Sequence, residues 1–237
     1  MTDLWLTPSP TGRLLFDDGG FSVTADPDLT DRLTVLTTVT DGRTRVRLTP
    51  ALAATLGLEP EQPVEEGEFR DRLESAGLRL HGADHLFYLA EQDREALLAE
   101  PDDPSVRPLT AADAQAFERF QAQASEQDLE DSYVELDHWA VYGAFVDGEL
   151  AGAASAYPWN DAPLADLGVL TLPLHRGRGH ARRLVRAMAR HALARGHELQ
   201  YRCQLDNHAS IAAAASAGLT RFGTWDVLSA ERGTTTN

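Results

Sequence analysis

An α/β fold, a mixed sheet flanked by helices and preceded by a smaller α+β unit, is predicted by three features of the sequence. The first is Asp166–Arg195, where a short apolar run gives way to a turn rich in Gly and Arg and then to a strongly patterned segment. The second is Glu198–Asp206, a further strand pattern directly after it. Strand, helix and strand in that order make a right-handed crossover, and hence a parallel pair. The third is a pair of Asp-Gly turns, Asp41-Gly42 and Asp147-Gly148, each set between strand-like runs, which is the short-range signature of a hairpin.

Taken in order, residues 1–104 read as an acidic α+β domain that ends in a linker. Arg32–Val39 and Arg43–Thr49 are its two strands, Pro50–Leu56 a short helix stopped by Gly57, and Phe69–Ala76 a second helix capped by Gly77. Leu78–Ala90 reads as a strand interrupted at Gly82-Ala83-Asp84. His81 and His85 lie close together there, but with one nearby acid and no third ligand they read as surface or half-buried histidines, and no metal is expected. Glu100-Pro101-Asp102-Asp103-Pro104-Ser105 is the expected linker, because its prolines and acids oppose both helix and strand.

The second domain is therefore expected at residues 105–237. It opens with a strand at Val106–Leu109 and a helix that starts from the capping-box variant Thr110–Asp113 and carries Ala114, Phe117 and Phe120. A polar stretch, Ser125–Ser132, precedes the hairpin of Trp139–Val146 and Glu149–Tyr157, and Pro158–Pro163 is a loop. Arg221–Ser229 supplies the last strand, and Ala230–Asn237 reads as a frayed tail.

Within the central unit, Pro173 cannot donate to a ladder and so closes the strand Leu167–Leu172. Ala181, Leu184, Val185, Met188, Ala192 and Leu193 recur three and four residues apart, one apolar stripe for a helix packed on a sheet. Arg182, Arg183, Arg186 and Arg190 fill the other faces, and Gly196 stands where a left-handed cap is expected. Gly177 and Gly179 carry no Cβ, so the turn can present successive N–H groups beside a free helix N-terminus. With Arg176 and Arg178 alongside, this is a cradle for a diphosphate that needs no metal. A Gly-rich turn with solvated arginines is the alternative for these residues taken alone.

Arg176-Gly177-Arg178-Gly179-His180-Ala181 fits the Arg/Gln-x-x-Gly-x-Gly/Ala signature and resembles that of the GNAT superfamily of N-acetyltransferases, with Pro173 similar to the family's strand exit. Further on, Asp206-Asn207-His208-Ala209-Ser210 opens an Ala-rich helix ending at Gly218-Leu219, which resembles the family's Asn-x-x-Ser/Ala helix. The resemblance covers Val106–Ala230 and does not extend to the first hundred residues.

What the resemblance implies is a sheet with a splayed parallel strand pair, acetyl-CoA as cosubstrate, and transfer of its acetyl group to a small amine by direct attack. The diphosphate would lie on Arg176, Gly177, Arg178, Gly179, His180 and Ala181, with Arg182 or Arg183 near a phosphate. A bulged strand at Val169, Leu170 and Thr171 through Leu172 would supply the oxyanion donor and admit the pantetheine arm. Asn207 and Ser210 would meet that arm at its mouth, with a plain N-cap as the equal alternative for Asn207.

The sequence departs from the family pattern where the family often places a Tyr to protonate the leaving sulfur. By spacing from Asn207 and Gly218 that position is Ala214. A thiol pKa near ~8.5 makes the thiolate a fair leaving group, so the missing acid is expected to cost ~10²-fold or less. General-base candidates are Asp166 and the cluster Glu135, Asp137 and His138, whose alternative is solvated or capping acids, while Tyr133, Tyr142 and Tyr157 offer phenols. Cys203, the one cysteine, lies in an apolar strand and reads as core.

Composition narrows the partners. A net charge of −16 opposes a nucleic-acid binder, and the charge is uneven: 9 Arg against 21 acids through Pro104, but 12 against 16 afterwards. The acidic first part is expected to steer a cationic amine. A single cysteine, no leader pattern and no apolar run near ~20 residues point to a cytoplasmic protein without a membrane span; a homodimer stays open. The rival reading is a non-catalytic acyl-CoA binding or regulatory module, in which Ala214 marks lost chemistry.

Overall fold

A computed structural model describes residues 6, 9–29, 34–159 and 162–229. The first strands are β1 (Arg13–Asp17), β2 (Phe21–Ala25), β3 (Val35–Thr40) and β4 (Arg43–Leu48), followed by helices α1 (Pro50–Thr55) and α2 (Glu66–Ser75). Then come β5 (Asp84–Leu89), α3 (Arg94–Leu98), β6 (Val106–Pro108), α4 (Ala114–Gln121) and α5 (Glu126–Ser132). The hairpin β7 (Ala140–Val146) and β8 (Glu149–Pro158) leads to β9 (Leu164–Thr171), α6 (His180–Leu193), β10 (Glu198–Gln204), α7 (His208–Ser216) and β11 (Leu219–Val227).

The chain forms two compact units, residues 1–86 with 222–237, and residues 87–221. In the first, strands run in the order β1-β2-β4-β3-β11. Val23, Val35, Val46 and Leu48 from the strands meet Phe69 and Leu73 of α2 in one apolar core. The Asp41-Gly42 turn takes the left-handed conformation at both residues, as a two-residue hairpin requires. The β1–β2 hairpin is an addition to the sequence reading. Its turn is built by Asp18, whose Oδ1 accepts from the N–H groups of Gly20 and Phe21 at 2.8 and 2.7 Å. Residues 32 and 33 of the expected first strand, residues 160 and 161 of the expected loop, and the tail from Ala230 lie outside the described residues.

The second unit carries the order β5-β10-β9-β8-β7-β6, and β10 pairs with β9 in parallel, as the crossover predicts. Helix α6 lays Leu184, Val185 and Met188, all fully buried, on one face of this sheet. Phe117 and Phe120 of α4 cover Leu150, Ala153 and Leu170 on the other. Ser125–Ser132, read as a polar stretch, is instead α5: the Ser125 side chain accepts from the N–H of Asp128 at 3.1 Å and starts it.

The acidic segment 100–105 does not lie at the division. Glu100 accepts from Arg186, Asp102 from Arg190 at 3.0 Å, and Asp103 stands 3.7 Å from Arg183, so three arginines of α6 hold it. Phe87, Leu89 and Leu97 share the apolar core under α6, which places the division at Leu86 and Phe87. Prolines and acids oppose regular structure but leave ion pairing open, and that is what ties this segment to the second unit.

Candidate active site

Parallel pairing between β9 and β10 runs from Leu164 with Glu198 to Leu167 with Tyr201. Beyond that point both strands continue, yet Gly168–Thr171 and Arg202–Gln204 share no ladder among the described residues. On its other edge β9 stays in unbroken register with β8 from Ala165 to Thr171. The bulge implied at Val169–Leu172 is therefore not in the β8–β9 ladder. The strands separate because β10 departs, and every second N–H of Gly168–Thr171 is left facing the gap.

A cleft of about 600 Å³ opens at this separation. Val169, Leu170 and Thr171 line it from β9, and Arg176, Gly177, Gly179, His180, Ala181 and Arg182 from the turn and the start of α6. Asn207 and Ser210 close it from α7. Of the cofactor residues expected from the sequence, Leu172, Arg178 and Arg183 are not on its wall.

The turn is built as the glycines suggested. Gly177 and Gly179 have φ of 76° and 78°, and Gly179 is the N-cap of α6 with no side chain closing the helix end. The first N–H groups of α6 therefore have no partner within the helix. Arg176 does not point freely at a ligand. Its Nε donates to the Thr171 carbonyl at 3.1 Å and its terminal nitrogen to Asp128 Oδ1 at 2.8 Å, which pins the turn to β9 and α5. Arg182 is exposed on the wall.

Asn207 is occupied as an N-cap: its Oδ1 accepts from the Ser210 N–H at 3.0 Å. Three buried atoms of wall residues stand without a protein partner: Thr171 Oγ1, His175 Nδ1 and His180 Nε2. Burial, together with Arg183, His175 and Arg178, pushes the His180 pKa below its ordinary value. An extended ligand with an anionic end fits this wall, since that end would meet the open start of α6.

The catalytic candidates are not on the cleft wall, and they separate into two kinds. Asp166 is 3% exposed, and Arg202 binds it in a bidentate pair with contacts of 2.6–3.1 Å. Gln200 and the Tyr157 hydroxyl also donate to it, each at 3.1 Å. A carboxylate so engaged is a structural anion and not a free base. Glu135 and Asp137 are exposed.

His138 differs. Its Nδ1 lies 2.8 Å from the hydroxyl of the fully buried Ser155, which also accepts from the Glu135 N–H at 3.2 Å. The ring packs against Tyr133 and Tyr157, both at 5.0 Å between centroids. Burial lowers the His138 pKa, with Asp137 and Glu135 working against the shift, which favours the neutral imidazole. Ser155 is the cross-strand partner of Gly168, the first β9 residue past the parallel ladder. A Cβ at Gly168 would come within 1.9 Å of the Ser132 carbonyl, so glycine is what lets the end of α5, and Tyr133 with it, cross β9 here.

The remaining candidates are structural. Tyr142 reaches His191 Nδ1 at 3.1 Å, Cys203 is buried core, and Ala214 is fully buried. Sequence reasoning missed His175 and Tyr201 on the cleft wall. His175 has no motif, and the alternation that places Tyr201 in a strand reads the same for a core ring.

A parallel pair that opens beside a glycine turn and an uncapped helix end gives this α/β domain a cleft with one end suited to an anion. Residues 109–219 match the family model described as the acetyltransferase (GNAT) family, and that stretch is a GNAT-family domain. Among solved structures the chain is similar to a GNAT-family acetyltransferase from Novosphingobium aromaticivorans (22% identity, TM-score 0.48, over 64% of this chain and 66% of that one). It is likewise similar to a GNAT-family acetyltransferase from Colwellia psychrerythraea (22%, 0.47, 63% and 57%). The chain thus spans less than two thirds of the length of either. An aminoglycoside N-acetyltransferase in complex with CoA matches at 25% identity and TM-score 0.39, over 49% of this chain and 92% of that one. No curated protein matches the sequence.

Proposed function

We propose that the chain is an acetyl-CoA dependent N-acetyltransferase acting on a small amine by direct attack, with His138 as the general base. The observation that carries the reading is the cleft itself: the opening between β9 and β10, the left-handed Gly177 and Gly179 and the open end of α6 all meet in it. Acetyl-CoA supplies the thioester. The turn and α6 hold its anionic end, while the free N–H groups of β9 face the gap where charge develops on the carbonyl oxygen. His138 takes the amine proton, because Ser155 holds its Nδ1 side and burial favours the neutral ring. The acids Glu135 and Asp137 beside it favour a cationic amine on approach.

The test is thiol release across a panel of amines, peptides and aminoglycosides. Turnover with at least one acceptor is expected. The acid limb of kcat/KM should have its midpoint below 6.5, the ordinary His value from which burial lowers the group. His138→Gln should remove that limb and most of the rate. Tight acetyl-CoA binding with no thiol release from any acceptor would leave a non-catalytic acyl-CoA binding module.

A further inference from the structure

Tyr133 holds a backbone conformation that its side chain opposes. It is the C-cap of α5 with φ of 44° and ψ of 47°, the left-handed region in which a bulky residue is strained. The chain can take that turn because Gly168 has no Cβ to strike the Ser132 carbonyl. Together the two irregularities set out a ring that is 55% exposed, although Val134, the next residue, is buried.

That ring stands between two parts of the site. The cleft wall reaches Asp131 and Ser132 at the end of α5, and Tyr133 follows directly. On its other side the ring meets His138 edge-on at 5.0 Å and Tyr157 at 5.7 Å. Exposed carboxylates flank it along the chain, Asp131 before it and Glu135 and Asp137 after it. No Lys or Arg lies between Ser125 and Asp137.

We propose that Tyr133 is a specificity-determining residue whose exposed ring seats a second ammonium group of the acceptor, so that the preferred acceptors are aliphatic diamines. The inference rests on the acetyl-CoA reading above, with His138 as base. An ammonium is attracted to the face of an aromatic ring within ~6 Å of its centre, and carboxylates around the ring add to that attraction. A methylene chain between two nitrogens suits the apolar ring, and its charged end suits the acids. Because the Tyr133 and His138 rings are 5.0 Å apart, the second nitrogen lies a few methylenes from the one that reacts. In the transfer, the neutral amine nitrogen bonds to the carbonyl carbon, the carbon–sulfur bond breaks with its electron pair going to sulfur, and the surplus amine proton passes to His138. The second ammonium keeps its charge throughout.

The experiment uses the full chain with CoA, acetyl-CoA, 1,4-diaminobutane and butylamine, two amines that share a carbon chain and differ by one ammonium. Wild type should favour the diamine in kcat/KM by ~10-fold, and calorimetry on the CoA-bound chain should give the same order of affinity. Tyr133→Leu keeps apolar bulk and loses the ring face. The preference should then fall ~5-fold, through KM for the diamine and not through kcat, while Tyr133→Phe keeps it. Tyr133→Gly suits the left-handed backbone and should lose the preference in a chain that melts as one cooperative unit. Equal kcat/KM for the two amines in wild type overturns the proposal, and so does a preference that Tyr133→Leu retains. A 2-phenylethylamine that outperforms the diamine overturns it too, since the ring is then an apolar platform. If wild type does not bind CoA, the acetyl-CoA reading fails and this inference falls with it; if it binds CoA and turns over both amines alike, this inference fails alone.

Discussion

The two sides of β9 are built to opposite rules. On one side, Asp166 and Gly168 face a polar layer in which nearly every group is used: Arg202, Gln200 and Tyr157 converge on Asp166, and Ser155 serves both His138 and the Glu135 N–H. On the other, Leu167, Val169 and Thr171 face the cleft side, where Thr171 Oγ1, His175 Nδ1 and His180 Nε2 are buried without a protein partner. Buried polar atoms are rarely left this way in folded proteins, because each forgoes about 1–3 kcal/mol of hydrogen bonding. The satisfied side is scaffold around His138. The unsatisfied side leaves three buried atoms without a protein partner.

The contrast is open to attack at three positions. The largest effect is expected on the satisfied side, where Asp166→Ala strands the mostly buried Arg202 cation. Removing one partner of such a pair costs about 3–5 kcal/mol, so the urea midpoint should fall sharply. If Asp166→Asn keeps full stability but abolishes turnover, Asp166 is the base after all, and the scaffold description of that side fails.

Next is Gly179→Val on the ligand side. Its φ of 78° is one a β-branched residue rarely adopts, and its Cβ would sit 3.4 Å from the Arg183 guanidinium. Acetyl-CoA affinity by calorimetry should drop 10-fold or more, ~1.4 kcal/mol, and unchanged affinity would remove the turn from the binding site.

The smallest effect is expected at the other helix that borders the cleft. Asn207→Ala should cost about 1 kcal/mol of stability, because Oδ1 already caps Ser210 and the open end of α6 has no such occupant. A melting temperature that does not move, paired with a large loss of CoA affinity, would return Asn207 to the ligand and make the two helix ends alike.

Local chemistry was the legible part of this protein. The Asp-Gly hairpins, the apolar stripe of α6 and the left-handed glycines at 177 and 179 each depend on neighbours a few residues away, so composition and spacing alone determined them. The same holds for the capping box at Thr110 and Asp113 and for the Gly196 cap. Tertiary structure alone decided which polar groups are consumed and which remain. Asp166 looks like any acid at a strand head until Arg202, a residue of the neighbouring parallel strand, arrives to bind it. The acids at 100, 102 and 103 look like a linker until the arginines of α6 face them. Tyr201 alternates like a core residue, and only the departure of β10 from β9 turns its buried ring into the wall of a cleft. Periodicity reports which face of an element avoids water. It carries no record of which distant element meets that face, and satisfaction of charge and hydrogen bonds is a property of that meeting.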